Sequence, residues 1–191
     1  VDVDPGTLTM DVNKIEEKIT SRTRAIVPVH FAGHPCDMDP IMDLAKKYKL
    51  IVIEDAAHAL EAKYKGQKIG NLGNSTAFSF YANKNITTGE GGMLTTNDES
   101  LNEMIRMLRL QGLNRDAWKR YGKSGFSHWE LQLPGFKYNM ADINAALGIH
   151  QIKKVRHFLN FRKQYAASYD KAFRQIPELE ILEIKDYAEP S

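Results

Sequence analysis

The stretch Asp39-Pro40-Ile41-Met42-Asp43-Leu44-Ala45-Lys46-Lys47-Tyr48-Lys49-Leu50-Ile51-Val52-Ile53-Glu54-Asp55 decides the fold. Asp39 followed by Pro40 reads as a helix start, with an N-cap side chain and a proline at the first helical position. Ile41, Leu44, Ala45 and Tyr48 then fall at helical spacing and mark one buried face. Leu50–Ile53 is a short apolar strand that ends in two acids, Glu54 and Asp55. Upstream, Ala25–Val29 is a second short apolar strand. Strand, helix and strand at this spacing make a βαβ unit, so the expected class is α/β with part of its sheet parallel.

Working outward, Val12, Ile15 and Ile19 predict a helix after Asp11. Gly66, Gly70 and Gly73 punctuate a loop region, and Thr76–Ala82 and Gly92–Asn97 read as two further strands. The connection Asn83–Gly91 is too short for a parallel crossover, which takes a dozen or more residues. These strands are therefore expected to run antiparallel, with Lys84 between them. Leu101, Met104, Ile105 and Leu108 predict another helix. Gln111–Tyr138 is irregular, with Gly112, Gly122, Gly125 and the Pro134-Gly135 turn. From Asp142 to about Ile176 the pattern is helical again, long enough that a break or kink is expected. Leu179–Ile184 looks like one more strand. The domain reading is a cofactor-binding domain part over 1–150, and a linking helix with the start of a smaller domain over 151–191. Both ends look cut from something longer.

Composition narrows the class. The chain has 191 residues, 42% hydrophobic and 26% charged, with a formal charge of +2, an ordinary balance for a packed globular core. No run of basic residues suggests nucleic-acid or membrane-surface binding. No apolar stretch approaches the roughly 18 residues of a membrane span. No signal peptide opens the chain, and the single cysteine, Cys36, fits a reducing compartment, so the expected location is the cytoplasm.

Several residues could carry chemistry. Asp55 stands just past the carboxyl end of a strand, the edge where open α/β sheets bind ligands. It could hold a cationic cofactor nitrogen, a metal or a ribose, or be a helix cap or solvated acid. Lys84 could be a surface charge. Its apolar flanking strands, the Ser79 hydroxyl and the bare backbone of Thr87-Thr88-Gly89-Glu90-Gly91-Gly92 favour a ligand-holding role. Neither a P-loop nor a dinucleotide fingerprint is present. His30 and His34 are four apart, but Gly33 and Pro35 argue against a helical metal pair. An acid and a lysine at neighbouring strand ends, with a serine ready for a phosphate, suit pyridoxal 5'-phosphate. The lysine would form a Schiff base with the cofactor aldehyde, and the carboxylate would keep the pyridine nitrogen protonated.

Val52-Ile53-Glu54-Asp55-Ala56-Ala57-His58-Ala59, Phe78–Gly92 (FSFYANKNITTGEGG) and Gly135–Ala146 (GFKYNMADINAA) occur in that order. Together they resemble the DegT/DnrJ/EryC1/StrS family of nucleotide-sugar aminotransferases, essentially over the whole chain. The resemblance implies the type I aminotransferase fold, a mostly parallel sheet between helices with one antiparallel strand, working as a homodimer. It implies that Lys84 attaches the cofactor covalently and Asp55 binds the pyridine nitrogen. Ser79 would bind the phosphate, and His58 would lie near the phenolic oxygen, where many members have glutamine. Asn139 would reach the phosphate of the partner subunit's cofactor. By the residues alone, His58 would be an ordinary buried histidine and Asn139 a helix cap. The implied reaction moves an amino group, with glutamate as donor, to a keto-sugar on a nucleotide. His58 with Lys137-Tyr138-Asn139 leans toward amination at C4 of a UDP-linked sugar. A type I enzyme with another substrate and a non-catalytic cofactor-binding homologue are the alternatives. No metal, nucleic-acid or membrane partner is expected.

Overall fold

The structure is a computed structural model and describes residues 1–113 and 131–191. It divides into two compact units, Val1–Thr95 with Asp142–Ser191, and Thr96–Ala141. Gly122 and Gly125, read above as part of an irregular stretch, lie outside the described residues.

The first unit is built on a four-stranded sheet and a small three-stranded one. Its strands are β1 (Ala25–Ile26), β2 (Ile51–Asp55), β3 (Lys63–Tyr64), β4 (Gln67–Lys68), β5 (Ser75–Ser79), β6 (Gly92–Thr95) and β7 (Ala188–Glu189). The main sheet has the order β1-β2-β5-β6. The pairs β1–β2 and β2–β5 are parallel and β5–β6 is antiparallel, as the short Lys84 connection requires. β1 is shorter than the apolar run Ala25–Val29 because Pro28 has no N–H to give the ladder. Pairing resumes at a bridge between Val29 and Asp55. β5 stops at Ser79, not Ala82, because the Ser79 hydroxyl accepts the Tyr81 N–H at 3.3 Å and turns the chain. The second sheet, β4-β3-β7, is antiparallel and had no clear sequence signal, its strands being two residues each.

Helix α1 (Met38–Tyr48) packs on β1 and β2. Ile41, Ala45 and Met38 join Ile26, Val52 and Cys36 in the core. The helix starts earlier than Asp39-Pro40 suggests. Asp37 is its N-cap and Pro40 is the third helical residue, tolerated because first-turn N–H groups have no intrahelical partner. Tyr48, expected on the buried face, is exposed, and its hydroxyl donates to Glu16 at 2.6 Å.

The cap itself is unusual. The Asp37 side chain caps no N–H of the helix. It accepts instead from the Tyr64 hydroxyl at 2.7 Å, whose oxygen accepts the Asp39 N–H at 3.1 Å. Burial and then the Asp37 bond push the Tyr64 phenol up. Tyr64→Phe strips the helix of that acceptor and Asp37 of its donor. It should cost about 1–3 kcal/mol in urea unfolding of the full-length protein. A change under about 0.5 kcal/mol would show that Tyr64 acts through packing alone.

Three further expectations are corrected. After Asp11 there is no α-helix but two 3-10 turns, Val12–Lys14 and Glu16–Lys18. Thr20 and Thr23 bond each other locally, with the Thr20 N–H on the Thr23 hydroxyl at 2.9 Å. The segment thus ends before a helix offsets its nucleation cost. Helix α3 (Asp142–Phe173), which follows α2 (Glu99–Leu108) in the chain, is continuous over its 32 residues, so the expected break does not occur. It contains no proline and only Gly148 as a glycine. Leu179–Ile184 is not a strand, having no ladder partner. Its Glu183 N–H goes to the Gly6 carbonyl at 2.7 Å instead.

The second unit holds α2, capped by the Asp98 carboxylate on the Leu101 N–H at 3.0 Å. After it, the bridges Leu110–Lys137 and Leu113–Leu131 tie the unit together.

Candidate active site

Alternation along β2 places Val52 and Glu54 on the covered face and Ile51, Ile53 and Asp55 on the other. In the parallel register Asp55 pairs with Ala77, so Ser79, two residues on, lies on the same face as Asp55. Among the described residues that face is bare: Ile51 is 63% exposed, and Val27, Val29 and Leu94 are exposed with it. Two of the predicted residues thus stand at the carboxyl ends of adjacent parallel strands, on one face. Asp55 is half-buried and its carboxylate accepts the Ala57 N–H at 3.0 Å. The Ser79 oxygen accepts from Tyr81, which leaves the hydroxyl proton for a ligand.

Lys84 and His58 come together in a pocket of about 230 Å³, lined also by Ala32, Asn83, Asn85 and Arg162. Lys84 is half-buried in the turn after β5, where its N–H bonds the Tyr81 carbonyl at 3.1 Å. The His58 Nδ1 accepts the Ala32 N–H at 3.3 Å. A backbone N–H only donates, so neutral His58 carries its proton on Nε2 and is a donor there. Its ring meets Phe31 edge-on, with centroids 6.0 Å apart.

Arg162 and Asn85 were not singled out in the sequence. Arg162 comes from α3, and its place beside Lys84 depends on how that helix docks. Asn85 bonds the Leu60 carbonyl at 3.0 Å and the Ser191 hydroxyl at 2.9 Å. The glycine-rich segment after Lys84 also serves that docking. The Asn144 amide donates to the carbonyls of Thr88 at 2.7 Å and Glu90 at 3.0 Å. Gly148 allows the approach, since a β-carbon there would stand 3.1 Å from the Thr88 methyl.

Asn139 lies in the second unit, three residues before α3, so it does not cap that helix. Its side-chain oxygen is buried and has no hydrogen-bond partner among the described residues. His30 and His34, the histidines weighed as a metal pair, have both ring nitrogens engaged by protein groups. His30 bonds Glu54 and the Cys36 N–H, and His34 bonds the Pro35 carbonyl and the Lys185 N–H. Burial lowers the pKa of His34 from its ordinary 6.5. No group of three or more histidine, cysteine or acidic residues among the described residues could hold a metal.

Residues 1–190 match the DegT/DnrJ/EryC1/StrS aminotransferase family. The chain belongs to that family. The spore coat polysaccharide biosynthesis protein SpsC of Bacillus subtilis is 51% identical over 178 residues, covering 93% of this chain and 46% of SpsC. The GDP-perosamine synthase of Caulobacter vibrioides is 46% identical over 176 residues, covering 92% and 45%. The structure superposes on Spr1654 from Streptococcus pneumoniae, solved in a PLP-form, with a TM-score of 0.88 and 30% identity, covering all of this chain and 51% of Spr1654. This DegT/DnrJ/EryC1/StrS chain therefore has the family's α/β fold and spans about half the length of the curated relatives it matches. No helix among its described residues is long and apolar enough to cross a membrane.

Proposed function

We propose that this chain carries the cofactor-binding part of an aminotransferase that moves an amino group from glutamate to a keto-sugar held on a nucleotide. The observation that carries the reading is the pocket that Lys84 and His58 line together. The donor set fits pyridoxal 5'-phosphate. A lysine suits its aldehyde, an imidazole N–H its phenolic oxygen, a carboxylate its pyridine nitrogen and a serine hydroxyl its phosphate. The names of the relatives, one in polysaccharide and one in amino-sugar synthesis, support the substrate class.

When bound, pyridoxal 5'-phosphate supplies the electron-withdrawing ring that accepts the electron pair left as the substrate carbon loses its proton. The chain's own residues do the rest. The Lys84 Nζ would hold the cofactor and would serve as the base that takes and returns the substrate proton. The Asp55 carboxylate keeps the proton on the ring nitrogen. The His58 Nε2–H donates to the phenolic oxygen, and Ser79 donates to the phosphate. The protein works as a homodimer in this reading, with the Asn139 Nδ2–H donating to the phosphate at the other subunit's site.

The test is direct. Full-length protein with pyridoxal 5'-phosphate is given glutamate and either a UDP- or a GDP-linked 4-keto-sugar. Mass spectrometry should find the keto oxygen replaced by an amine, with one 2-oxoglutarate formed per product. Cofactor binding without either product would assign the chain to a non-catalytic role.

A further inference from the structure

The face of the sheet opposite Asp55 hides a polar network that the reaction above does not use. His30 and Glu54 are both fully buried, and His30 Nε2 lies 2.9 Å from the Glu54 Oε2. The direction of that bond is fixed. The Cys36 N–H donates to the His30 Nδ1 at 3.0 Å, so Nδ1 must accept and Nε2 must carry the proton. A second proton on His30 would break the Cys36 bond. The other Glu54 oxygen accepts from the Asn74 amide at 2.9 Å and the Thr76 hydroxyl at 3.3 Å. Glu54 is thus bound by three donors from two chain segments, His30 and the start of β5, the arrangement that lets a buried carboxylate stay folded in.

The backbone makes this network relevant to the candidate site. The His30 N–H donates to the Asp55 carbonyl at 3.0 Å, and the Asp55 N–H to the Pro28 carbonyl at 2.9 Å. His30 therefore grips both residues of the Glu54-Asp55 pair, one by its ring and one by its main chain. It also opens the Phe31–Gly33 turn, in which Ala32 has a φ of 49°, a left-handed conformation that costs a residue with a β-carbon. The N–H of that strained Ala32 is the donor that sets the His58 ring. Gly33 closes the turn where a β-carbon would stand 2.8 Å from Ser191.

We propose that His30 and Glu54 form a buried positioning unit that sets the Asp55 carboxylate and the His58 imidazole for the cofactor ring. The inference rests on the reading of Asp55 and His58 as ring-binding residues. His30 and Glu54 touch neither substrate nor cofactor, and act through the end of β2 and the Phe31–Gly33 turn. Their effect is on geometry, and small displacements at such a site weaken both binding and turnover.

The experiment uses two partial mimics of His30 in the full-length protein. His30→Gln keeps a donor near the Nε2 position, and His30→Asn keeps an acceptor near the Nδ1 position. Pyridoxal 5'-phosphate affinity is measured by absorbance titration, and melting temperature is recorded without cofactor. His30→Asn should weaken cofactor binding about tenfold, the order found when an outer partner of a ligating group is removed. His30→Gln should recover most of it even where the two variants melt alike. Wild-type affinity in both variants, or a loss that follows melting temperature alone, overturns the proposal. If His30→Asn does not fold, Asn74→Ala on the half-buried edge of the network replaces it. Weaker cofactor binding is then expected, and unchanged affinity overturns the proposal. Asp55→Asn is the control that separates the two layers. If it weakens binding while the His30 variants do not, the positioning unit fails alone. If Asp55→Asn binds cofactor as tightly as wild type, the ring-binding reading fails and takes the positioning unit with it.

Discussion

Lys84→Ala in the full-length protein should abolish covalent attachment of pyridoxal 5'-phosphate and lower transamination by about 10⁴-fold or more, while leaving melting temperature close to wild type. The size follows from two losses on one side chain, the nucleophile that holds the cofactor and the base that moves the proton. The mild effect on folding follows from the structure. Lys84 sits in a turn whose backbone bond to Tyr81 an alanine retains, and it is half-buried beside a pocket and outside the hydrophobic core. Borohydride reduction of the loaded wild-type protein, then peptide mapping, should place the pyridoxyl group on Lys84. Seventeen lysines are present, so the mapping discriminates among them, and a label on any lysine other than Lys84 would reject the assignment.

The place of Lys84 in the fold was legible in the sequence because it depended on short-range features. Asn83–Gly91 is too short to cross over, so β5 and β6 had to be antiparallel and Lys84 had to stand at their joined end. Asp55 was legible for the same kind of reason, since an apolar run that ends in an acid marks a strand's carboxyl end. What alternation could have added is the difference between Glu54 and Asp55. Period two puts Glu54 beside Val52 on the buried face, which flags a charge needing partners. Those partners, His30 at 24 residues and Thr76 at 22, are set by strand register and left no local signal.

Helix ends were harder. Asp39-Pro40 carries a valid start signal, but Tyr64 supplies an acceptor for the Asp39 N–H and the helix begins earlier. The glycine-rich segment after Lys84 has a long-range partner that gave no local signal. Its carbonyls are claimed by Asn144, 56 and 54 residues away. Leu179–Ile184 has strand composition, yet composition alone cannot supply the neighbour that a ladder requires.

Asp55→Asn carries the second large expected effect. The asparagine oxygen can still accept the Ala57 N–H, and the backbone bonds of Asp55 to Pro28 and His30 do not involve the side chain. The end of β2 should therefore keep its shape, and the substitution isolates charge. Without a fixed negative charge the bound pyridine nitrogen tends to lose its proton, and the ring accepts electrons less well at the step where the substrate carbon is deprotonated. A pair of unit charges at about 4 Å is worth about 4 kcal/mol at an effective dielectric of 20, which bounds the rate loss at roughly 10³-fold. Cofactor binding should weaken as well, but saturating cofactor should not restore the rate. Substrate α-deuteration discriminates further. The isotope effect on kcat should rise in Asp55→Asn, because proton removal becomes the slow step. Near-normal turnover at saturating cofactor would mean that Asp55 does not hold the ring nitrogen, and that its place at the end of β2 is structural.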